Sequence, residues 1–221
     1  PRLSAMPSPS AIEIGQILIT VFALGPLQAN CYLVADKASK EAMLVDVGHE
    51  SKEMVQYIKE QGYIPKAIVA THAHFDHIFG MGWMSQQLDN CPIICHKEDA
   101  SLWPLNGRLS SMFGMQSPAH FPSEPTEYVE DKHKIKLGDE TFSLNLFPGH
   151  SPGSCVLRHD DDILFSGDVL FQSGQGRTDL PMGSPSDMRV SLQKLMKYPA
   201  QMQVFPGHGG STTIGAERRY N

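Results

Sequence analysis

Between residues 71 and 77 the chain reads Thr-His-Ala-His-Phe-Asp-His, directly behind the apolar run Pro65–Ala70. No other feature constrains the fold as strongly. Side chains at i and i+2 do not share a helix face, so His72 and His74 cannot chelate from one regular turn. They can converge from a loop at the carboxyl end of a strand, where open α/β sheets gather their ligands. A short buried strand over Pro65–Ala70 supplies that end. His72, His74, Asp76 and His77 are four metal-binding side chains within six residues. A single tetrahedral shell also draws on distant ligands and outer partners, so this density predicts two adjacent metals. The competing reading is a polar loop with surface histidines.

Two metals need further ligands at other strand ends, and the sequence offers three. His150 lies in Pro-Gly-His-Ser-Pro-Gly, Asp168 ends Phe-Ser-Gly-Asp, and His208 lies in Pro-Gly-His-Gly-Gly. Each follows an apolar run and sits among small residues that let backbone approach closely. Phe147-Pro-Gly-His150 recurs as Phe205-Pro-Gly-His208, which predicts two halves built alike, each presenting a histidine from a Pro-Gly turn. Five histidines and two aspartates result, a donor set that suits zinc, iron or manganese.

The remaining candidates read as structural. His96, His120, His133 and His159 have no partner cluster, and His49 either borders the site or leads into the next helix. Cys91, Cys95 and Cys155 read as packed thiols, and the eleven methionines as core filling. Arg177 and Asp179 form a structural ion pair or support the loop beneath Asp168.

Strand-like and helix-like segments alternate along the chain. Strands are expected at Ile17–Leu24, Asn30–Ala35, Ala42–Val47, Pro65–Ala70, Pro92–Cys95, Lys134–Leu137, Thr141–Phe147, Cys155–His159, Ile163–Ser166 and Gln203–Phe205. Helices are expected from Ser51 to a Gly62 cap, over His77–Leu88, and from the Ser184-Pro185 cap to Lys197. Residues 1–14 read as a flexible tail, with 15–221 as one catalytic domain. Residues 104–127, with four prolines and two glycines, read as a long surface excursion. The pattern predicts a layered α/β fold with mixed sheets.

Composition narrows the function classes. A hydrophobic fraction of 41% and a charged fraction of 19% belong to a folded chain. The formal charge of −6 argues against a nucleic-acid surface or a polybasic membrane anchor. Four cysteines in 221 residues are too few for a disulfide scaffold. The longest apolar stretch, Ile17–Leu24, is far short of a membrane span. No nucleic-acid or membrane partner is expected, and the expected location is the cytoplasm or an organelle matrix.

With these motifs in place, the chain resembles the metallo-β-lactamase superfamily, and most of all its glyoxalase II-like group, from about Gln16 to the C-terminus. The resemblance implies a four-layer αββα sandwich with two mixed sheets, an α/β (α+β) fold with the metals at one edge. It implies that His72, His74 and His150 form a first metal site and Asp76, His77 and His208 a second, with Asp168 bridging. Leu44-Val45-Asp46 matches an early strand–Asp segment, which makes Asp46 a support behind the ligands. Gly25–Tyr32 and Gly174–Asp179 resemble the same branch. Glyoxalase II proper continues into glutathione-binding helices, whereas about a dozen residues follow His208 here, as in the short glyoxalase II-like hydrolases.

The expected activity is hydrolysis of a glutathione thioester, S-lactoylglutathione or a related S-acylglutathione, by a hydroxide held on two divalent metals, zinc first, then iron or manganese. Asp76 is the expected catalytic residue, orienting the hydroxide and relaying its proton. A thiol leaves readily because its pKa is roughly 8.5, so no separate general acid is required. The alternative within the same resemblance is a persulfide dioxygenase, with one iron on His72, His150 and Asp168. A non-catalytic metal-stabilised module and a nuclease form a third class, and the charge disfavours the nuclease.

Overall fold

A computed structural model describes residues 11–220. Its first sheet takes seven strands in chain order: β1 (Ala11–Ile14), β2 (Ile17–Leu24), β3 (Ala29–Asp36), β4 (Glu41–Val45), β5 (Ile64–Val69), β6 (Ile93–His96) and β7 (Glu127–Val129). Pairing is antiparallel from β1 to β4 and parallel from β4 to β7. The second sheet takes β8 (His133–Leu137), β9 (Glu140–Leu146), β10 (Cys155–His159), β11 (Ile163–Gly167), β12 (Gln203–Pro206) and β13 (Thr212–Thr213). Only its β11–β12 pair is parallel. Helices α1 (Lys52–Gln61), α2 (Phe75–Ile78), α3 (Met81–Gln87) and α4 (Asn106–Met112) go with the first sheet. Helices α5 (Pro185–Leu195) and α6 (Ile214–Tyr220) go with the second.

Side-chain alternation sorts the core into layers. In β3, Cys31, Leu33 and Ala35 face the helices, while Tyr32 and Val34 face the other sheet. Along β11, Ile163 and Phe165 point between the sheets and Leu164 points outward toward α5. Three apolar layers thus lie between four layers of secondary structure, the αββα sandwich. Strands buried on both faces explain why the sequence shows continuous apolar runs rather than polar alternation.

Three local expectations change. Residues 11–14, read as tail, form β1 and pair with Ile17–Thr20, while residues 1–10 lie outside the described residues. The helix expected over His77–Leu88 is two helices, α2 and α3. The break has a cause: Gly80 donates its N–H to Val47 at 2.9 Å, and a Cβ there would stand 2.4 Å from the His49 backbone. The excursion 104–127 is also less irregular than expected. It holds α4, anchored by buried Asn106, Leu109 and Ser110, and its last residue opens β7. Periodicity missed α4 because a polar side chain, Asn106, does much of the anchoring.

The repeated Phe-Pro-Gly-His turns are not packed alike. Phe147 joins the outer layer beside α5, whereas Phe205 lies between the sheets against Tyr32 and Phe165. Each nevertheless delivers its histidine to the same edge.

Candidate metal centre

Asp46 follows β4, His72 follows β5, Asp168 follows β11 and His208 follows β12, so four strands end at one edge of the sandwich. His150 arrives there from the turn behind β9, and Asp76 and His77 from the first turn of α2. The structure brings all seven residues singled out in the sequence into one cluster. His72, His74 and His150 each offer a donor atom, and these atoms lie within 4.8 Å of one another. Asp76, His77 and His208 do the same. Asp168 stands between the groups, with Oδ1 3.4 Å from His77 Nε2 and Oδ2 3.4 Å from His150 Nε2 and 3.8 Å from His208 Nε2.

Hydrogen bonds behind the cluster decide which ring nitrogens face inward. His150 Nδ1 donates to the Arg177 carbonyl at 2.7 Å, which leaves a lone pair on Nε2. His77 Nδ1 donates to Asp46 Oδ2 at 3.0 Å. The Thr71 hydroxyl donates to the same carboxylate at 2.7 Å, so its oxygen is free to accept from His72 Nδ1 at 3.1 Å. His72 Nε2 therefore also faces the centre. Asp46, His72 and His77 form a third close group, but Asp46 is consumed by these bonds and by the Thr71 N–H at 2.8 Å. Its place is behind the ligands. The bonds also hold Asp46 at φ +57°, a conformation that costs roughly 1–2 kcal/mol for a residue with a Cβ.

The electrostatics follow from burial and mutual proximity. Burial, reinforced by the neighbouring imidazoles, holds His72 well below its usual pKa and brings His74 down to about 3. Both rings are thus neutral and carry lone pairs. Burial also pulls on His77, but Asp168, Asp76 and Asp46 outweigh it and raise its pKa. Burial would raise Asp168 and Asp76, yet the histidines around them keep both carboxyls below the usual range. Buried carboxylates beside the neutral imidazoles of His72 and His74 call for positive charge. The inward atoms point the same way: His72 Nε2 and Asp168 Oδ1 are buried without a hydrogen-bond partner, and His74 Nδ1 faces His150 Nε2 at 2.8 Å. Such atoms cost about 1–3 kcal/mol each when left unmade, and coordination to a cation removes that cost. The residues fit a divalent metal pair of the zinc, iron or manganese kind.

Two supports escaped the sequence. Asp99, buried at the end of β6, accepts from Ala73 N at 2.7 Å, Ser151 Oγ at 2.8 Å and Gly153 N at 2.6 Å. One carboxylate thereby ties the His72–His74 loop to the His150 loop. Asn106 completes the grip, its amide donating to the Ala73 carbonyl at 2.8 Å. The available signal for Asp99 was its place near the end of a strand neighbouring β5; nothing in the sequence marked Asn106. On the opposite side, Asn30 Nδ2 donates to the carbonyls of Pro206 and Gly209 at 2.9 Å, and the Tyr32 hydroxyl to Pro206 at 2.5 Å. The His208 turn is crowded enough to need glycine: a Cβ on Gly207 would lie 2.2 Å from Asp168 Oδ1.

The other candidates fall outside the cluster. His49 is exposed and contacts the Glu50 carbonyl at 3.2 Å, His96 receives the Glu98 N–H at 3.3 Å, and His159 pairs with Glu140 at 2.7 Å. His120 and His133 join neither donor group. All four cysteines are buried and free. Arg177 and Asp179 form a two-bond ion pair at 2.9 and 2.8 Å on the exposed side of their loop.

The matches to known proteins agree with this geometry. The family model described as "Metallo-beta-lactamase superfamily" matches residues 24–208. An uncharacterised protein of Mycobacterium leprae is 38% identical over 93% of this chain and 97% of its own length. The hydroxyacylglutathione hydrolase GloC of Haemophilus influenzae is 31% identical over 92% of this chain and 96% of its own. Among solved structures, TTHA1623 in a di-iron-bound form superposes with a TM-score of 0.81 and 35% identity, covering 91% of this chain and 98% of that one. An αββα sandwich whose strand ends gather histidines and aspartates, matched by the family model along most of its length, belongs to the metallo-β-lactamase superfamily of metallo-hydrolases.

Proposed function

We propose that the chain is a two-metal thioester hydrolase acting on S-lactoylglutathione or a related S-acylglutathione. In this reading His72, His74 and His150 hold one divalent metal, Asp76, His77 and His208 hold the other, and Asp168 serves both. The observation that carries it is the full second group: Asp76, His77 and His208 present donors within 4.8 Å of one another, beside the first. A mononuclear iron site on His72, His150 and Asp168 makes no use of that group. The likeness to GloC supports the glutathione thioester as substrate.

When bound, a metal pair supplies a water ionised near neutral pH and an electrophilic partner for the carbonyl oxygen. The chain supplies the rest. Asp76, with Oδ2 3.2 Å from His208 Nε2 and 3.6 Å from His77 Nε2, orients the attacking oxygen and takes its proton. Asp46 and Arg177 fix the rings of His77 and His150 through their outer nitrogens, so the donors need no rearrangement during turnover. Phe75, Leu109, Phe113 and Phe171 line the mouth and exclude bulk water from the reacting carbonyl. A leaving thiol of pKa roughly 8.5 departs as thiolate without a proton donor. The test is release of free thiol from S-lactoylglutathione and other acyl thioesters by metal-loaded protein. Turnover supports the reading, and no turnover of any acyl thioester overturns it.

A further inference from the structure

Beside the metal centre lies a second cavity of about 220 Å3 that the reaction as described does not use. It opens between the turn behind β2, the segment Gly48–Glu50 and the loop after α4. Its walls include Leu24, Leu27, Phe75, Phe79 and Met115. Leu27, Phe75 and Asp76 belong to this cavity and to the mouth of the metal centre alike, so the two spaces share one wall. A group extending from a carbonyl beside Asp76 has a direct route into it.

The chemistry of the lining selects the occupant. No lysine or arginine lines this cavity; its ionisable side chains are the carboxylates Glu50 and Asp76 and the imidazole of His49, which contacts the Glu50 carbonyl at 3.2 Å. A carboxylate or phosphate entering here meets the Glu50 carboxylate and loses its hydration with no lysine or arginine in return. The carboxylate ends of glutathione are therefore poorly served by these walls. An apolar chain is well served, because burial against leucine, phenylalanine and methionine removes its surface from water. Needing on the order of 10–15 Å3 per water by the same measure, the space admits a chain of several carbons.

We infer that this cavity is an acyl-chain subsite, which makes the preferred substrate a thioester of a neutral aliphatic acid of several carbons. The inference rests on the thioester reading above and specifies the acyl half of that substrate. Full burial of one methylene is worth about fourfold in affinity, and half-burial about twofold. Four added methylenes in this half-open cavity thus give about sixteenfold.

The experiment compares kcat/KM of metal-loaded protein across acetyl, hexanoyl and glutaryl thioesters of one thiol. Hexanoyl is expected to exceed acetyl by about sixteenfold, and glutaryl to fall well below hexanoyl. Met115→Trp, which fills the cavity, is expected to erase the hexanoyl-to-acetyl advantage. Glu50→Lys is expected to raise glutaryl relative to hexanoyl. Calorimetry with non-hydrolysable hexyl and methyl thioethers of the same thiol gives a readout independent of turnover, with hexyl, five methylenes longer, about thirtyfold tighter. Equal kcat/KM for acetyl and hexanoyl, or equal binding of the two thioethers, overturns the acyl subsite and leaves thioester hydrolysis standing. Absence of turnover with all three thioesters overturns both.

Discussion

Replacing Asp99 by asparagine separates the brace from the metal ligands it positions. The carboxylate accepts three hydrogen bonds, two on Oδ2 from Ala73 and Ser151 and one on Oδ1 from Gly153. Asparagine has one carbonyl oxygen, so its NH2 must face at least one of these donors. A bond to a charged acceptor is worth about 1.5–3 kcal/mol, and a buried donor left unmet costs a further share. Burial raises the Asp99 pKa against the pull of those hydrogen bonds, so removing the charge returns part of the loss. The net cost is about 2 kcal/mol. For a chain of this size that lowers the melting temperature by roughly 4–8 °C. Because the same bonds set the spacing of the His72–His74 and His150 loops, metal affinity falls on the order of 10–100-fold, as for other residues behind metal ligands. Differential scanning calorimetry of metal-free protein and competition against a chelating dye measure the two effects separately. An Asp99→Asn variant with unchanged metal affinity would refute the brace, whatever its melting temperature.

Three further outcomes are expected. His208→Ala removes one donor of the second group while leaving His72, His74 and His150 intact, so metal content drops from two to one per chain by elemental analysis. Arg177→Ala breaks only an exposed ion pair, because His150 is held by the Arg177 backbone carbonyl; melting temperature and metal content stay unchanged. Burial pushes the thiol of Cys91 up to about 12 and raises those of Cys31, Cys95 and Cys155 well above the usual thiol range. Ellman's reagent at pH 8 accordingly finds no reactive thiol in the native protein and four after denaturation; rapid native labelling would contradict the packing.

The legible parts of this molecule are those written in local chemistry. His72, His74, Asp76 and His77 stand together in the chain, and His150, Asp168 and His208 each end an apolar strand with small residues around them. Strand β5 and the strand-end position of the loop follow from those patterns alone. What escaped is joined only in three dimensions. Asp99 sits in a Lys-Glu-Asp run that reads as surface, and its partners lie 26, 52 and 54 residues away. Asn106 anchors α4 by a polar bond to Ala73, which apolar periodicity cannot register. The break at Gly80 depends on the backbone of His49, docked from another part of the chain. Strand β1 is four residues with no fully buried side chain, only Ile14 packing partly against the core, and it is visible chiefly through its pairing with β2.

The central claim is a centre of two metals with Asp168 serving both. Elemental analysis of the purified, metal-loaded protein tests it most directly. Two divalent metals per chain is the result this account predicts, and one metal per chain at saturation would contradict it.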